Sequence, residues 1–421
     1  MGKKVIFLSR SDLRGGAAIV TYRLMTAMRE LGVDARMLVC EKLSDSPYVD
    51  LCAPKRRILY SFLKERLEVF IKNGFDRGTL FKVDPATAGL PVWRHAWVKD
   101  ADAVFLGWIN QGMISLSGVE RLSRLGKPMV WVMHDMWNMT GICHQAGDCG
   151  RFKGECGCCP LLKSKGRADD MSHATWLRKR TLYGDAGIKW VAVSSWLARK
   201  AKESSLLGDR RVEVVPNPFS ITESGNGGRR GDSDRPIRII FGAARLDDPI
   251  KGLPVLKEAT LVIRDHYPWS GIVELVTFGS VKDPESFKGF GIRHRHLGVL
   301  SGEDAIRHAY EECDIVVSAS DFETLPGTLV EGQAYGCIPV AFDHGGQRDI
   351  IDHEETGWLA PWHDDPSVRA VFLAEGIEWA YRHVGDEEMK CRMRRSVKDR
   401  FGSASVATRL LELAGVCIDK K

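Results

Sequence analysis

Residues 315–349 read Ile315-Val-Val-Ser-Ala-Ser320-Asp-Phe-Glu323-Thr-Leu-Pro326-Gly-Thr-Leu-Val-Glu331-Gly-Gln-Ala-Tyr-Gly336-Cys-Ile-Pro339-Val-Ala-Phe-Asp-His-Gly345-Gly-Gln-Arg-Asp349. Ile315–Ser318 and Ile338–Phe342 are short apolar runs with the composition of buried strands, and Leu329–Tyr335 between them has helical spacing. Continuous apolar strands separated by helices predict a parallel sheet covered on both faces.

The same alternation extends outward. Ile237–Phe241 and Ile272–Phe278 read as strands, and Val255–Ile263 and Gly302–Glu312 as helices; helical, charge-laced sequence fills Ser367–Gly415. In the first half, strands are expected at Lys4–Leu8, Ala35–Cys40, Ala103–Leu106, Met129–Met133 and Trp190–Val193. Helices are expected at Ala17–Leu31, which stops at Gly32, and at Ile114–Leu125 and Ser195–Lys202. Between the halves lies a Gly-, Ser- and Arg-rich stretch with nothing to bury, which reads as a linker. The expected organisation is an α/β chain of two Rossmann-like, doubly wound parallel-sheet domains facing a central cleft: 1–221, a linker at 222–236, 237–400, and a terminal helix over 401–421 that returns to the first domain.

Composition narrows the function. The 421 residues are 44% hydrophobic and 27% charged, ordinary for a folded protein, and 60 basic against 55 acidic residues leave a net charge of +5. That mild excess carries no concentrated basic stripe, so no nucleic-acid partner is expected. No run approaches the ~20 apolar residues of a membrane span, and Val5–Leu8 is too short for the core of an export signal. A reducing cytoplasmic setting is therefore expected, with the eleven cysteines as thiols or metal ligands.

Two phosphate-binding fingerprints are missing: no Gly-x-Gly-x-x-Gly follows the first strand, and no Gly-x-x-x-x-Gly-Lys-Ser/Thr occurs. Other candidates exist. Gly15-Gly16 opens the first helix and is either an ordinary turn or a close-approach site for an anion at a helix start. Arg245 and Lys251 follow the first strand of the second domain and are either solvated cations or a diphosphate clamp. Glu323 and Glu331, eight apart, fall in a loop and on the helix after it; each carboxylate can accept two hydroxyl hydrogen bonds, and the amides of Gly327, Thr328 and Leu329 suit phosphate oxygens.

The spacing Glu323-x7-Glu331, Gly336-x-x-Pro339-Val and Gly345-Gly-x-x-Asp349, with Arg245, Lys251-Gly252, Gly15-Gly16, Val215-Pro-Asn217 and Gly357-Trp-Leu, resembles the family-4 glycosyltransferases. That resemblance runs from residue 3 to about 400 and implies the GT-B fold, retention of anomeric configuration and no catalytic metal. It implies a retaining transferase that moves a sugar from a nucleotide-sugar donor to an oligosaccharide or lipid-linked acceptor in surface polysaccharide synthesis, at the inner face of the cytoplasmic membrane. By resemblance, Glu331 binds the donor ribose and Glu323 the transferred sugar. Arg245 and Lys251 neutralise the departing diphosphate with Gly16 and the 327–329 amides. Val299, between Gly298 and Leu300, lies against the base, and His134 is presented to the donor sugar. Gly332 stands where the family usually has Ala, Gln333 where it has Met or Leu, and Asp349 where it has Glu; no functional carboxylate is lost. No residue offers itself as a covalent nucleophile. The alternatives are a GT-B sugar-nucleotide epimerase or phosphorylase, and a zinc-knuckle nucleic-acid-binding protein.

Two features stand apart. Cys143, Cys149, Cys156 and Cys159, in an insertion over 141–160, could enclose a structural zinc, with His144 as a substitute ligand and Cys158 spare; the other reading is free thiols. A similar Cys block follows the His-Asp-x-Trp segment in a branch resembling capsule and exopolysaccharide enzymes. Residues 55–75 form an amphipathic helix with Lys and Arg at its borders. It either covers the sheet or rests on an anionic membrane.

Overall fold

The computed structural model describes residues 2–163, 166–219 and 235–417. In chain order its elements are β1 Lys4–Ser11, α1 Gly16–Glu30, β2 Asp34–Glu41, β3 Val49–Leu51, α2 Lys55–Lys72, α3 Ala96–Asp100, β4 Ala103–Leu106, α4 Leu116–Ser123, β5 Met129–Met133, α5 Met171–Asp185, β6 Ile188–Ala192, α6 Ser195–Glu203 and β7 Val212–Val214. There follow β8 Ile237–Arg245, α7 Leu253–His266, β9 Val273–Ser280, β10 Arg293–His296, α8 Glu303–Glu311, β11 Ile315–Ser318, α9 Gly327–Ala334, β12 Ile338–Phe342, β13 Trp358–Ala360, α10 Pro366–Arg382, α11 Glu387–Phe401 and α12 Ser403–Ala414. They divide into two units, Met1–Pro218 with Ser403–Lys421, and Phe219–Gly402. The linker expected at 222–236 lies outside the described residues apart from Arg235 and Pro236.

The first unit is built on a seven-stranded parallel sheet in the order β3-β2-β1-β4-β5-β6-β7. Central strands are apolar on both faces: Val5–Leu8 and Ala103–Leu106 are buried throughout, and Phe7 stacks on Phe105 with ring centroids 4.8 Å apart. Trp131 on β5 stacks on Trp190 of β6 at 5.4 Å, in register across the ladder. Helix starts are set by side chains that accept orphan amides: Ser115 for α4, Asp170 for α5 and Ser194 for α6. The Ser115 cap, closed by Gly118 N at 3.1 Å, starts α4 two residues inside the expected Ile114–Leu125 span. The terminal helix α12 buries Val406, Ala407, Leu410 and Leu411 and packs on α1 and β5.

The second unit has a six-stranded parallel sheet ordered β10-β9-β8-β11-β12-β13. Its core joins Phe241, Leu275, Val317, Val340 and Phe342 of the strands to Leu256 of α7 and Leu373 and Ile377 of α10. Fully burying each such side chain contributes roughly 1.5–3 kcal/mol. Both sheets run outward in two directions from a central pair, β1/β4 and β8/β11. At such a switch point the loops leaving the carboxyl ends diverge and open a crevice. The helical stretch 367–415 is three helices, interrupted where the Asp386 side chain caps α11 and where Gly402 ends it. No helix among the described residues is long and apolar enough to cross a membrane.

Candidate active site

In the second unit, the candidate residues gather at the switch point. β8 ends at Arg245, whose guanidinium lies 3.3 Å from Asp247 Oδ1 and 3.1 Å from Asp248 Oδ2. Asp248 then caps the turn Pro249–Lys251, and the chain passes over the end of β11 at Gly252. Only glycine fits there. Gly252 has φ 71°, and a Cβ would stand 1.9 Å from the Ala319 carbonyl oxygen. The close crossing carries Lys251 to the neighbouring loop, where its Nζ lies 2.5 Å from Glu323 Oε1. Ser320 Oγ donates to the same oxygen at 3.1 Å.

Glu323 is pinned through its backbone as well. Its carbonyl accepts from Gly346 N at 3.0 Å, and Gly345, at φ 120°, lies so near that a Cβ would come within 2.4 Å of that oxygen. The loop is braced by Asp321: its N–H donates to Ile250 O at 2.9 Å, its carboxylate pairs with the buried Arg369, and its carbonyl accepts from His344 Nδ1 at 2.8 Å. His344 and Arg369 both stack on Trp362, at 4.0 and 4.3 Å. A carbonyl can only accept, so the bond fixes the proton on His344 Nδ1.

Helix α9 begins directly after this loop. Its N-cap is Pro326, and no side chain caps the first-turn amides of Gly327, Thr328 and Leu329. Such amides and the positive end of the helix dipole form an anion site. Leu329 points its side chain into the core, and its N–H already donates to Pro326 O at 3.2 Å, so of the three expected amides those of Gly327 and Thr328 are the ones that can serve a ligand. One turn on, half-buried Glu331 lies near the buried Tyr310. Burial, then the Glu331 carboxylate, raise the Tyr310 hydroxyl well above its ordinary pKa. Gly332 has a packing cause: a Cβ there would meet Val316 Cγ1 at 2.5 Å, so α9 lies closer on β11 than an alanine permits. Val299 is 66% exposed in the loop after β10, and that loop is tied to β9 by a 2.8 Å bond from Gly279 N to Gly298 O.

In the first unit, Gly15 caps α1 at φ 90°, and a Cβ on either Gly15 or Gly16 would meet nothing within 4 Å. The pair is therefore not imposed by packing and leaves backbone accessible. Just before it, Asp12 is buried. Burial resists its charge, but bonds from Ser44 and Leu43 N–H, both 2.9 Å, hold its carboxyl below the usual range. His134 follows β5. Burial pushes its imidazole down to about 4 against the pull of the Asp135 carboxylate, so the ring is neutral at pH 7. Asp135 accepts from Trp137 N at 2.8 Å, Trp108 Nε1 at 3.0 Å and His144 Nδ1 at 2.8 Å. His144 is thus committed to Asp135, and this carboxylate raises its pKa despite burial.

Cys143, Cys149, Cys156 and Cys159 all line one cavity of about 20 Å³. Burial pushes the Cys143 thiol up to about 12 and the Cys159 thiol up to about 11. Among the described residues no three His, Cys, Asp or Glu side chains are arranged as a ligand set. Lys179, fully buried beside this block, donates to Trp137 O at 2.5 Å and Thr140 O at 3.0 Å, with its ammonium 3.4 Å from the Trp137 ring centroid.

Several site residues escaped the sequence reading. Ser320 and Asp321 lie inside the quoted stretch but carry no spacing signal, and the Arg369–Trp362–His344 brace is assembled from distant segments. Gln347 is fully buried beside Gly345, and its amide has no hydrogen-bond partner among the described residues. Its place in the Gly-Gly-x-x-Asp run was the one available signal.

Residues 237–374 match the family of glycosyl transferases group 1. The chain is 28% identical to the amylovoran biosynthesis glycosyltransferase AmsK of Erwinia amylovora, over 39% of this chain and 40% of that protein. It is 29% identical to the phosphatidyl-myo-inositol mannosyltransferase of Mycobacterium tuberculosis, over 44% of this chain and 48% of that protein. The matches thus span less than half the length of these curated relatives. The structure of Anabaena HepE in complex with UDP superposes with a TM-score of 0.60 at 14% identity, covering 98% of this chain and 100% of that one. The chain thus carries a group 1 glycosyltransferase domain at residues 237–374, set within the GT-B fold.

Proposed function

We propose that this protein is a retaining glycosyltransferase that moves a sugar from a nucleotide-sugar donor to an oligosaccharide or lipid-linked acceptor in surface polysaccharide or glycolipid synthesis, at the inner face of the cytoplasmic membrane. The observation that carries the reading is the Lys251–Glu323 pair beside the uncapped start of α9. It sets a cation, an acceptor carboxylate and first-turn amides with no side-chain cap around one crevice.

The roles follow from charge. When the sugar C1–O bond breaks, its electron pair leaves on the diphosphate, so the transition state gains negative charge at the phosphate oxygens. The 327–328 amides are fixed donors for that charge and need no reorganisation as it develops; Arg245 and Lys251 turn their cations to it. Glu331 accepts from the ribose hydroxyls. Glu323, released from Lys251 as the cation turns to phosphate, accepts from hydroxyls of the transferred sugar. Neutral His134 can exchange a hydrogen bond with a hydroxyl without adding a charge. The acceptor oxygen bonds C1 on the face the diphosphate leaves, and the departing phosphate oxygen takes its proton.

The group 1 domain supports the donor reading, as do the names of the relatives, one in amylovoran biosynthesis and one a mannosyltransferase of a phosphatidyl lipid. HepE, which shares the fold, was solved with UDP and with UDP-glucose. The test is a thermal-shift panel of UDP, GDP, ADP and their sugars. A nucleotide at about 100 times its Kd stabilises the folded state by about 2.7 kcal/mol. A selective rise names the donor, and proton NMR of the anomeric coupling in the product reads retention. No shift with any nucleotide in folded protein refutes the reading.

A further inference from the structure

Two thiols face each other at the edge of the first unit's sheet. Cys40 and Cys52 place their Sγ atoms 3.6 Å apart. The parallel ladder of β2 and β3 pairs Met37 with Val49, Leu38 with Asp50 and Val39 with Leu51, and Cys52 N continues it with a 2.8 Å bond to Val39 O. Cys40 and Cys52 are thus the next pair in register. Neighbouring strands lie about 4.8 Å apart, inside the Cα span of about 4.4–6.8 Å that a disulfide bridges. The sulfurs need about 1.5 Å of further approach to reach bonding distance, and no strand has to change register.

Buried cysteines are often small apolar filler. Cys337 shows another ordinary use, its thiol donating to the carbonyls of Tyr310 and Cys313, both at 3.2 Å. The Cys40–Cys52 pair differs because a cation attends it. Ser9 pairs with Val39 and Ser11 with Glu41, so Arg10 on β1 sits beside Cys40. The Arg10 guanidinium stands over the Phe62 ring at 5.6 Å, and its Nε has no hydrogen-bond partner among the described residues. The hydrogen bond from Cys52, and then the Arg10 charge, hold the Cys40 thiol below its ordinary pKa, whereas the same bond and burial push Cys52 up. One sulfur is made a nucleophile and the other keeps its proton, the asymmetry of a reactive dithiol.

Both side chains are buried, but Lys42 and Leu43 after Cys40, and Pro54 and Lys55 after Cys52, are exposed. β3 is a three-residue edge strand, an element that opens locally at low cost and admits a small oxidant.

We propose that Cys40 and Cys52 form a reversible disulfide when the protein meets a hydroperoxide. The Cys40 thiolate attacks a peroxide oxygen; an S–O bond forms, the O–O bond breaks, and the leaving oxygen takes the proton that Cys40 released. Cys40 is then a sulfenic acid, oxidised by two electrons. The Cys52 sulfur attacks it, the S–S bond forms, and the hydroxyl leaves with the Cys52 proton as water. Two thiols and one hydroperoxide give one disulfide, one alcohol (water, from hydrogen peroxide) and one water. The bridge closes residues 41–51 into a ring. Within that ring the Leu43 and Ser44 amides hold Asp12, so oxidation fixes the loop beside the start of α1. The inference rests on the thiol geometry and is independent of the transferase reading.

The test is mass spectrometry of the full folded chain after hydrogen peroxide, alkylation of the remaining thiols and trypsin. Cys40 lies in the tryptic peptide 37–42 and Cys52 in 43–55, so the disulfide appears as these two peptides joined, and a reductant should release them. Arg10→Met should slow the joining about tenfold, the effect of one pKa unit on the thiolate fraction. In Cys52→Ser, Cys40 should stop at the sulfenic acid and be tagged by dimedone; in Cys40→Ser, Cys52 should stay untagged. Circular dichroism checks that each variant is folded. The proposal is overturned if the folded wild-type chain yields no joined peptide while the exposed Cys391 and Cys417 are oxidised, or if joining occurs only after denaturation. Equal tagging of the two serine variants, or joining as fast in Arg10→Met as in wild type, overturns it too.

Discussion

Lys251 Nζ and Glu323 Oε1 lie 2.5 Å apart across the β8/β11 switch point, on two loops held in contact by a glycine that nothing larger can replace. Each group occupies the other until a ligand arrives, and a donor with a diphosphate and a sugar offers separate partners to both.

Lys251→Met should therefore weaken nucleoside diphosphate binding by about 10- to 100-fold, the value of a hydrogen bond to a charged group. Glu323→Gln should leave that affinity within a few-fold and lower transfer. Titration calorimetry with the bare diphosphate, set beside kcat with the full donor, separates them. Loss of diphosphate affinity in both variants would mean that the pair acts as one structural unit.

A parallel division is expected between Glu331 and His134. Glu331→Ala should raise the nucleotide Kd about tenfold or more, whereas His134→Ala should spare it and reduce kcat. Equal losses of nucleotide affinity would contradict the assignment of His134 to the sugar.

Gly332→Ala, which installs the residue usual in the family, should destabilise this chain by about 1–3 kcal/mol, as overpacking does. The methyl would meet Val316 at 2.5 Å. An unchanged melting temperature would show that α9 can lift from β11 at little cost.

Stability should fall as pH rises through the range set by Glu65. Burial, with the Asp84 carboxylate beside it, pushes its carboxyl up to about 8, and Arg66 only partly opposes this. Asp84 already accepts from Ala86 N at 2.9 Å and Gln111 N at 2.6 Å. Between the ordinary 4.5 and about 8 the folded state holds a proton that the unfolded chain has released, so stability declines with rising pH by up to ~1.4 kcal/mol per unit. Glu65→Gln should flatten that decline. Chemical denaturation at several pH values reads it, and identical slopes in both proteins would rule it out.

For the cysteine cavity, the expectation is one zinc per chain, held after the four thiols turn toward a common point. Metal analysis should find it, Cys159→Ser should lose it, and a chelator should lower the melting temperature slowly. Metal-free protein with melting unmoved by chelator would mean four ordinary thiols.

The central strands were legible because each is apolar on both faces; β11 and β12 fall where the sequence put them. Edge strands were not. β10 is Arg-His-Arg-His and β3 and β7 are three residues each, so backbone pairing with a neighbour, rather than their own pattern, makes them strands. The pairing of Lys251 with Glu323 could be anticipated only as two residues in loops of one crevice, since 72 positions separate them and the Gly252 crossing closes the gap. The brace of Asp321 by Arg369 and His344 is a tertiary product with no local signature. Helix α2 was visible as amphipathic, but which face it buries depended on Glu65, Arg66 and Asp84, a cluster that its own periodicity does not reveal.

The first unit is assembled from both ends of the sequence, since α12 belongs to it although all of Phe219–Gly402 is made in between. On the ribosome, residues 1–218 emerge without the helix that covers α1, and they must wait for nearly two hundred further residues before it arrives. Translation order therefore delivers every residue of the second unit before the last helix of the first. The first 218 residues expressed alone would carry an uncovered apolar surface into solution.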